Sequence, residues 1–233
     1  MLNWLARYSP VVRFIRGEKC ADILEVGSGP KGIGEFFAHN FIGCDIHFDQ
    51  DIIDRDLINE NMIPLQCSAL ALPFDDDLFD VVVSLDMLEH IQPEHRERVI
   101  NELIRVSKRY VIIGFPCGEK AKEIDTVLYR WYVKTKKTVP DWLVEHLITS
   151  FPNIEEIENI LASQNISYKI VNNENLVVHL VIMWLESIRI SMKALGWSSY
   201  RTRGLWELIL PVLDFGVTYR RILFIRKDCS PIS

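Results

Sequence analysis

The sequence predicts an α/β fold, a doubly wound and mostly parallel sheet with helical insertions, and two observations support this. First, apolar segments rich in Val, Ile and Leu alternate with segments of helical spacing between residues 21 and 116, as in parallel strands that helices cover on both faces. Second, a glycine-rich loop follows the first apolar segment, where sheets of this kind bind ligands. The five predicted core strands are residues 21–27, 41–46, 62–67, 79–86 and 109–116.

Two further strands, at 166–174 and 219–227, complete a predicted seven-stranded sheet in one domain over residues 1–233. A helix over Pro93–Ser107 places its proline in the first turn, where the missing N–H costs little. The other segments are a lead-in helix over 1–20, a ligand-binding core over 21–116, a helical cover over 117–151, a helix over 153–163 capped by Asn153 with Glu156, and an apolar helical insertion over 174–217.

Three details of these helices are less regular. Pro10 falls inside the spacing of the lead-in helix and is expected to kink or split it. Residues 32–40 are predicted as a short helix that opens from the glycine loop, and residues 51–59 as a helix or turn.

The composition and net charge of the sequence argue against several classes of function. The net charge of −6 argues against broad nucleic-acid binding, which shows a basic footprint. The five cysteines lie far apart without a CxxC pair, which predicts buried thiols in a reducing compartment and neither a disulfide framework nor a metal site. The start lacks a signal-peptide pattern, and the longest apolar run, Leu176–Leu185, is about half a membrane span, so a cytoplasmic protein is predicted.

The loop Gly27-Ser28-Gly29-Pro30-Lys31-Gly32 indicates a backbone that wraps around a nucleotide-like ligand, because glycines let N–H groups approach without Cβ interference. Asp45 ends the second predicted strand, where a carboxylate can accept from both hydroxyls of a ribose. A structural turn and a solvated acidic residue are the simpler interpretations. Loop and carboxylate suit a dinucleotide and a nucleoside equally well.

Glu25, two residues before the first glycine, favours one of these ligands. A dinucleotide-binding fold usually keeps this position apolar and leaves the phosphates to a helix N-terminus. A carboxylate near the loop would repel pyrophosphate and suit a ligand with an ammonium or sulfonium centre. It therefore argues against the alternative, a nicotinamide-dependent oxidoreductase.

Five segments in order, "ILEVGSGPKG", "GCDI", "LPF", "FDVVVS" and "LEH", resemble the class I S-adenosylmethionine-dependent methyltransferases, in the small-molecule, methyltransferase type 11-like branch. The resemblance covers about residues 20–116 well, and the helix at 153–163 and the last strand more loosely. It implies a Rossmann-like methyltransferase sheet, S-adenosylmethionine as cofactor, and a small-molecule or lipid- or carbohydrate-linked methyl acceptor.

The resemblance also implies cofactor contacts at matching positions. These are Gly27, Ser28 and Gly29 under the methionine part, Glu25 near its amino group, Asp45 on the ribose hydroxyls, Ile46 against adenine, Ser68 and Ala69 at the adenine edge, and Leu85 where the fourth strand ends. Many members have Asp where Ser68 stands, and a serine oxygen accepts without a charge. A non-catalytic binding protein of the same fold is therefore a second alternative.

On the acceptor side, His90 at the exit of the fourth strand is the predicted general base, because histidine titrates in the useful range. Packing of the turn before Pro93 is its simpler role. Asp86 and Glu89 are expected to be solvated. Substrate-pocket candidates from the helical cover are Tyr132, Trp142 and His146, although aromatic side chains there also suit packing on the sheet.

The apolar insertion over 174–217 has three interpretations: a lid over the acceptor, a homodimer interface, or a peripheral membrane contact for a lipid-linked acceptor. Burial against the protein itself is the default expectation for a helix that is apolar nearly all round.

Overall fold

The computed structural model describes residues 2–48, 58–164, 166–188 and 203–227. Most of the helix or turn predicted at 51–59 lies outside these residues, and so does the middle of the apolar insertion.

Seven strands of the described chain form one sheet. They are β1 (Ile23–Val26), β2 (Phe41–Asp45), β3 (Met62–Gln66), β4 (Phe79–Leu85), β5 (Ser107–Pro116), β6 (Ser167–Asn175) and β7 (Thr218–Arg226). Their order is β3-β2-β1-β4-β5-β7-β6, and the pairings are parallel except those of β7 with β5 and with β6. The predicted mostly parallel, seven-stranded sheet is confirmed. Strand order reverses between β1 and β4, and such sheets bind ligands beyond the carboxyl ends of the strands at this place.

Helices flank the sheet: α1 (Leu2–Glu18), α2 (Pro93–Val106), α3 (Gly118–Lys134), α4 (Asp141–Ile148), α5 (Ile154–Ala162), α6 (Leu176–Glu186) and α7 (Arg203–Ile209). Short 3₁₀ helices lie at Gly32–Phe36, Leu88–His90 and Leu210–Leu213. The helix predicted after the glycine loop is therefore a single 3₁₀ helix. Asn153 caps α5 as expected, accepting from the backbone N–H of Glu155 and Glu156 at 2.7 and 3.3 Å.

Pro10 does not split α1, which runs unbroken from Leu2 to Glu18. Proline lacks the N–H that would bond to the carbonyl four residues earlier, that of Ala6. The Ala6 carbonyl instead accepts a hydrogen bond of 3.0 Å from Nδ2 of Asn173 on β6. A side chain from a distant strand thus satisfies the backbone group that proline leaves open.

Two apolar clusters cover the two faces of the sheet. Successive residues of β4 belong to different clusters, because successive side chains of a strand point to opposite faces of the sheet. Val81 and Val83 pack in the cluster that contains the buried side of α1, while Val82 packs with α2 and α5. The inner face of α2, with Val99 and Leu103, is fully buried.

Beyond β6, the described helices expose several apolar side chains, namely Val177, Val181, Trp184, Leu205, Leu208 and Val212. Among the described residues, no helix combines the length and apolarity needed to cross a membrane. The lid, homodimer and membrane-contact interpretations of this insertion stay predictions, as does a cytoplasmic location.

Candidate active site

Two adjoining cavities lie beyond the carboxyl ends of β1 and β4. The large cleft, of about 610 Å³, is lined by the glycine loop and the ends of β2 and β4. The small cavity, of about 190 Å³, is lined by side chains of α1, α4, α6 and β7. Arg7, Asp86 and His90 line both. A ligand in the large cleft can therefore meet a second molecule at these three residues.

The glycine loop forms one wall of the large cleft, as predicted for Gly27, Ser28 and Gly29. Gly27 has a φ of 76°, and a Cβ there would lie 2.6 Å from Cγ of Met87. Glycine is required at this position for both reasons. The N–H groups of Gly27 and Ser28 donate to the Cys44 carbonyl at 2.8 and 3.1 Å, which ties the loop to β2.

The remaining residues expected around a nucleoside line the same cleft, namely Asp45, Ile46, Ser68, Ala69 and Leu85. Oδ2 of Asp45 accepts from the Gly29 N–H at 2.9 Å. An ionised carboxylate has several acceptor sites, so Asp45 can orient the loop and still accept from a ligand. Ile46 is 71% exposed and offers an apolar surface to a flat ring. Oγ of Ser68 accepts from the Leu70 N–H at 3.2 Å.

Glu25 makes its contacts within the protein. It is fully buried and is absent from the described residues that line the two cavities. Its carboxylate accepts from the Tyr8 hydroxyl and from the Ile33 N–H, both at 2.6 Å. Through these two contacts Glu25 joins α1 to the end of the glycine loop. Its proximity to a ligand's amino group stays a prediction.

We expect Glu25 to make stability depend on pH. Burial raises the pKa of Glu25 to about 7, although the hydrogen bonds from Tyr8 and Ile33 lower it. Between the unfolded value near 4.5 and about 7, the folded protein keeps a proton that the unfolded chain has lost. The free energy of unfolding therefore falls as pH rises through this window, by about 3 kcal/mol from this one group.

Glu25→Gln carries no such proton. Urea denaturation of both proteins at pH 4.5 to 8 should show that their difference in unfolding free energy changes with pH. Parallel curves for the two proteins would contradict a raised pKa at Glu25.

Asp86, expected to be solvated, instead joins two arginines between the cavities. It follows β4 with a φ of 52°, a conformation that is uncommon outside glycine. Nε and Nη2 of Arg220 lie 2.5 and 2.6 Å from its oxygens, and Nη1 of Arg7 lies 2.9 Å away. Burial raises the pKa of Asp86, but the Arg220 and Arg7 guanidiniums outweigh burial and hold it well below its usual range. Asp86 is therefore a fixed negative charge.

Histidines and aromatic side chains form the far wall of the small cavity. His90, Trp142 and His146 line it as predicted. Tyr132 does not, because it lies in the last turn of α3 near Ser187 at the end of α6. Nδ1 of His90 lies 2.7 Å from Oε2 of Glu145. Burial, followed by the neighbouring His146, lowers the pKa of His90.

Glu89 also lies in this wall and, contrary to expectation, is not solvated. Its side chain is fully buried, and within the described chain neither carboxylate oxygen has a hydrogen-bond partner. Burial and then the charge of Asp86 raise the pKa of Glu89 well above its usual value.

Residues 24–113 match the family model described as "Methyltransferase domain". This match covers less than half of the chain and supports its resemblance to the class I S-adenosylmethionine-dependent methyltransferases. S-adenosylmethionine is the cofactor of this family. This match gives no support to the alternative function, a nicotinamide-dependent oxidoreductase, which the glycine loop alone would have allowed.

One curated relative is a tRNA (carboxymethyluridine(34)-5-O)-methyltransferase of Arabidopsis thaliana, 29% identical over 126 residues. The match covers 52% of this chain and 30% of that protein, so the chain matches less than a third of the relative's length. Since that relative's acceptor is a tRNA, the net charge of −6 does not by itself decide against a nucleic-acid acceptor.

Solved structures share the fold at low identity. Magnesium protoporphyrin IX methyltransferase from Synechocystis PCC 6803 with bound SAH has a TM-score of 0.53 and 14% identity, over 94% of this chain and 80% of that one. The plantazolicin methyltransferase BpumL in complex with SAH has a TM-score of 0.58 and 13% identity, over 96% and 83%. These likenesses support the Rossmann-like methyltransferase fold.

Sequence reasoning did not find Arg7, Glu89 or Arg220 as parts of the site. Arg220 lies 134 residues from its partner Asp86, and strand spacing alone does not indicate such a pair. For Glu89, the adjacent His90 was a usable signal, because both follow β4 directly.

Proposed function

We propose that this chain is an S-adenosylmethionine-dependent methyltransferase with the cofactor in the large cleft and the acceptor's reacting group in the small cavity. The observation that carries the proposal is the junction of the two cavities at Arg7, Asp86 and His90. Methyl transfer needs two molecules aligned at one point. A lone cofactor cleft would equally suit a non-catalytic binding protein.

The residues of the large cleft suit the cofactor. Gly27 lines the cleft without a side chain, and Asp45 has acceptor sites for a ribose beside its bond to Gly29. When bound, the cofactor would supply an activated methyl group on a sulfonium, and a hydroxyl acceptor that took this methyl group would release its proton to His90 or to water. The protein's part is to align the acceptor and exclude solvent.

Several groups in the small cavity support an acceptor with a polar reacting end. Oδ1 of Asn3, Nε of Arg7 and Nε2 of His179 are buried and lack a hydrogen-bond partner in the described chain. Buried polar groups without partners are costly, so an acceptor with hydroxyl or carboxyl groups would be favoured. Helix α6 lines this cavity with Met183 and exposes Trp184, which also suits a lipid- or carbohydrate-linked molecule with a polar head.

Binding and transfer test the proposal separately. Calorimetry should show that S-adenosylhomocysteine binds and NADH does not; NADH binding alone would overturn it. Incubation with S-adenosylmethionine labelled in the methyl group should then label a small-molecule or lipid fraction of a cell extract. If only tRNA were labelled, the proposed class of acceptor would be wrong and tRNA would take its place. If no fraction were labelled, the result would favour the non-catalytic alternative.

His90→Ala is expected to lower kcat by about 100-fold or more, the usual contribution of a side chain that positions an acceptor or takes its proton. The reason is its place at the junction of both cavities. Affinity for S-adenosylhomocysteine should stay close to that of the unchanged protein. His95→Ala, at an exposed position on α2, is the matched control. Equal kcat in the two variants would contradict a role for His90.

A further inference from the structure

We propose that Glu89, His90 and His146 form a binding site for one divalent transition-metal ion in the wall of the small cavity. One potential ligand atom from each of the three residues lies within 4.8 Å of the other two. All three side chains line the small cavity. The expectation of no metal site rested on cysteine spacing, and this site uses no cysteine.

The state of Glu89 is the first support for a cation. Its carboxylate is fully buried, and neither oxygen has a hydrogen-bond partner in the described chain. Oε1 lies 3.8 Å from Nε2 of His146, too far for a hydrogen bond. A buried carboxylate normally has a partner or binds a metal. A metal ion between these two atoms would satisfy both.

Carboxylates behind the two histidines are the second support. Oδ2 of Asp125 lies 2.7 Å from Nδ1 of His146, and Asp125 is itself buried and accepts from the Tyr219 hydroxyl at 2.9 Å. Glu145 lies against Nδ1 of His90 at 2.7 Å. Histidine ligands of metals almost always donate their other ring nitrogen to such a group, which orients the ring. Each histidine thus keeps Nε2 for a ligand.

The distances are close to those of a metal site. Ligands about 2.1 Å from a tetrahedral metal are separated from each other by about 3.4 Å. The pair Glu89–His146, at 3.8 Å, needs to move together by a few tenths of an ångström. Glu89 and His90 are neighbours in the 3₁₀ helix after β4 and His146 lies on α4. Separations of up to 4.8 Å would close by rotation of these side chains together with a movement of α4.

The chemistry of the ligands indicates the class of metal. Two imidazoles with one carboxylate suit Zn²⁺ and related first-row ions, whereas Mg²⁺ and Ca²⁺ prefer oxygen ligands. Three protein ligands leave an open position, which here faces the small cavity. If the proposed function is correct, an acceptor oxygen bound at that position would lose its proton more easily. His90 would then act as a ligand in place of a general base.

Cobalt titration tests the site on the tag-free full chain after dialysis against a chelator. Co²⁺ is expected to bind once per chain, with visible absorption typical of a low coordination number, and Zn²⁺ should displace it. Glu89→Gln, which preserves size, and His146→Ala should each weaken binding at least tenfold. Asp125→Asn should weaken it about 10- to 100-fold, as expected for a positioning residue behind a ligand. His95→Ala should bind Co²⁺ like the unchanged protein.

The proposal would be overturned if the unchanged protein did not bind Co²⁺. It would also be overturned if Glu89→Gln and His146→Ala bound Co²⁺ as tightly as the unchanged protein. Circular dichroism and S-adenosylhomocysteine binding show whether each variant is folded. Retained S-adenosylhomocysteine binding without Co²⁺ binding would reject the metal site alone. Co²⁺ binding without S-adenosylhomocysteine binding would support the metal site and reject the proposed function.

Discussion

Replacing Asp86 with alanine is expected to lower the free energy of unfolding by about 3–5 kcal/mol, the usual cost of removing one partner from a buried ion pair. Asp86 receives three of its hydrogen bonds from Arg220 and Arg7. Arg220 is 1% exposed, so its guanidinium cannot regain solvent when the carboxylate is removed. Its bond to Glu174, at 3.2 Å, compensates only in part.

Urea denaturation at neutral pH measures this effect. Asp76→Ala is the matched control, because Asp76 also pairs with an arginine, Arg105, but is 71% exposed. Exposed pairs contribute about 0–1 kcal/mol, so the control should stay within that range. A loss below about 1 kcal/mol for Asp86→Ala as well would show that water replaces the carboxylate.

Asp45→Ala is expected to weaken S-adenosylhomocysteine binding by about 10- to 100-fold. Hydrogen bonds to a charged group contribute about 1.5–3 kcal/mol, and 1.4 kcal/mol corresponds to a factor of ten in affinity. The variant loses the acceptor proposed for the ribose and also the bond that orients the Gly29 N–H at the cleft wall. Both losses weaken the binding of a ligand that contacts this loop.

Isothermal titration separates the two contributions. Asp45→Asn keeps an amide oxygen for Gly29 but loses the charge, so its affinity should fall between those of the unchanged protein and Asp45→Ala. Asp75→Ala, in the exposed loop before β4, controls for the change in net charge. Unchanged affinity in Asp45→Ala would contradict the assignment of the ribose to this carboxylate.

The sheet and the large cleft were predictable because their signals are local. Each strand of the core is one continuous apolar segment. The glycine loop directly follows β1, and Asp45 is the last residue of β2. Residues at strand ends reach the same edge of a parallel sheet whatever the details of packing. This is why Gly27, Asp45 and Ser68, chosen from the sequence alone, line the same cleft.

The small cavity was only partly predictable because its residues come from distant parts of the chain. Asp86 and Arg7 are 79 residues apart, and their pairing depends on how α1 packs over the sheet. Glu89 looked like an exposed residue in a polar turn, yet the 3₁₀ helix after β4 points it inward. Tyr132 was misplaced because an aromatic pattern on α3 does not reveal which turn of the helix faces the cavity.

The proline in α1 sets the position of this helix along its own axis. The Asn173 side chain bonds to the one carbonyl that Pro10 leaves without a helical donor, that of Ala6. A slide by a single residue, about 1.5 Å, would take that carbonyl away from Asn173. Since Arg7 lines both cavities, the edge strand β6 thereby sets the position of a residue that the two cavities share.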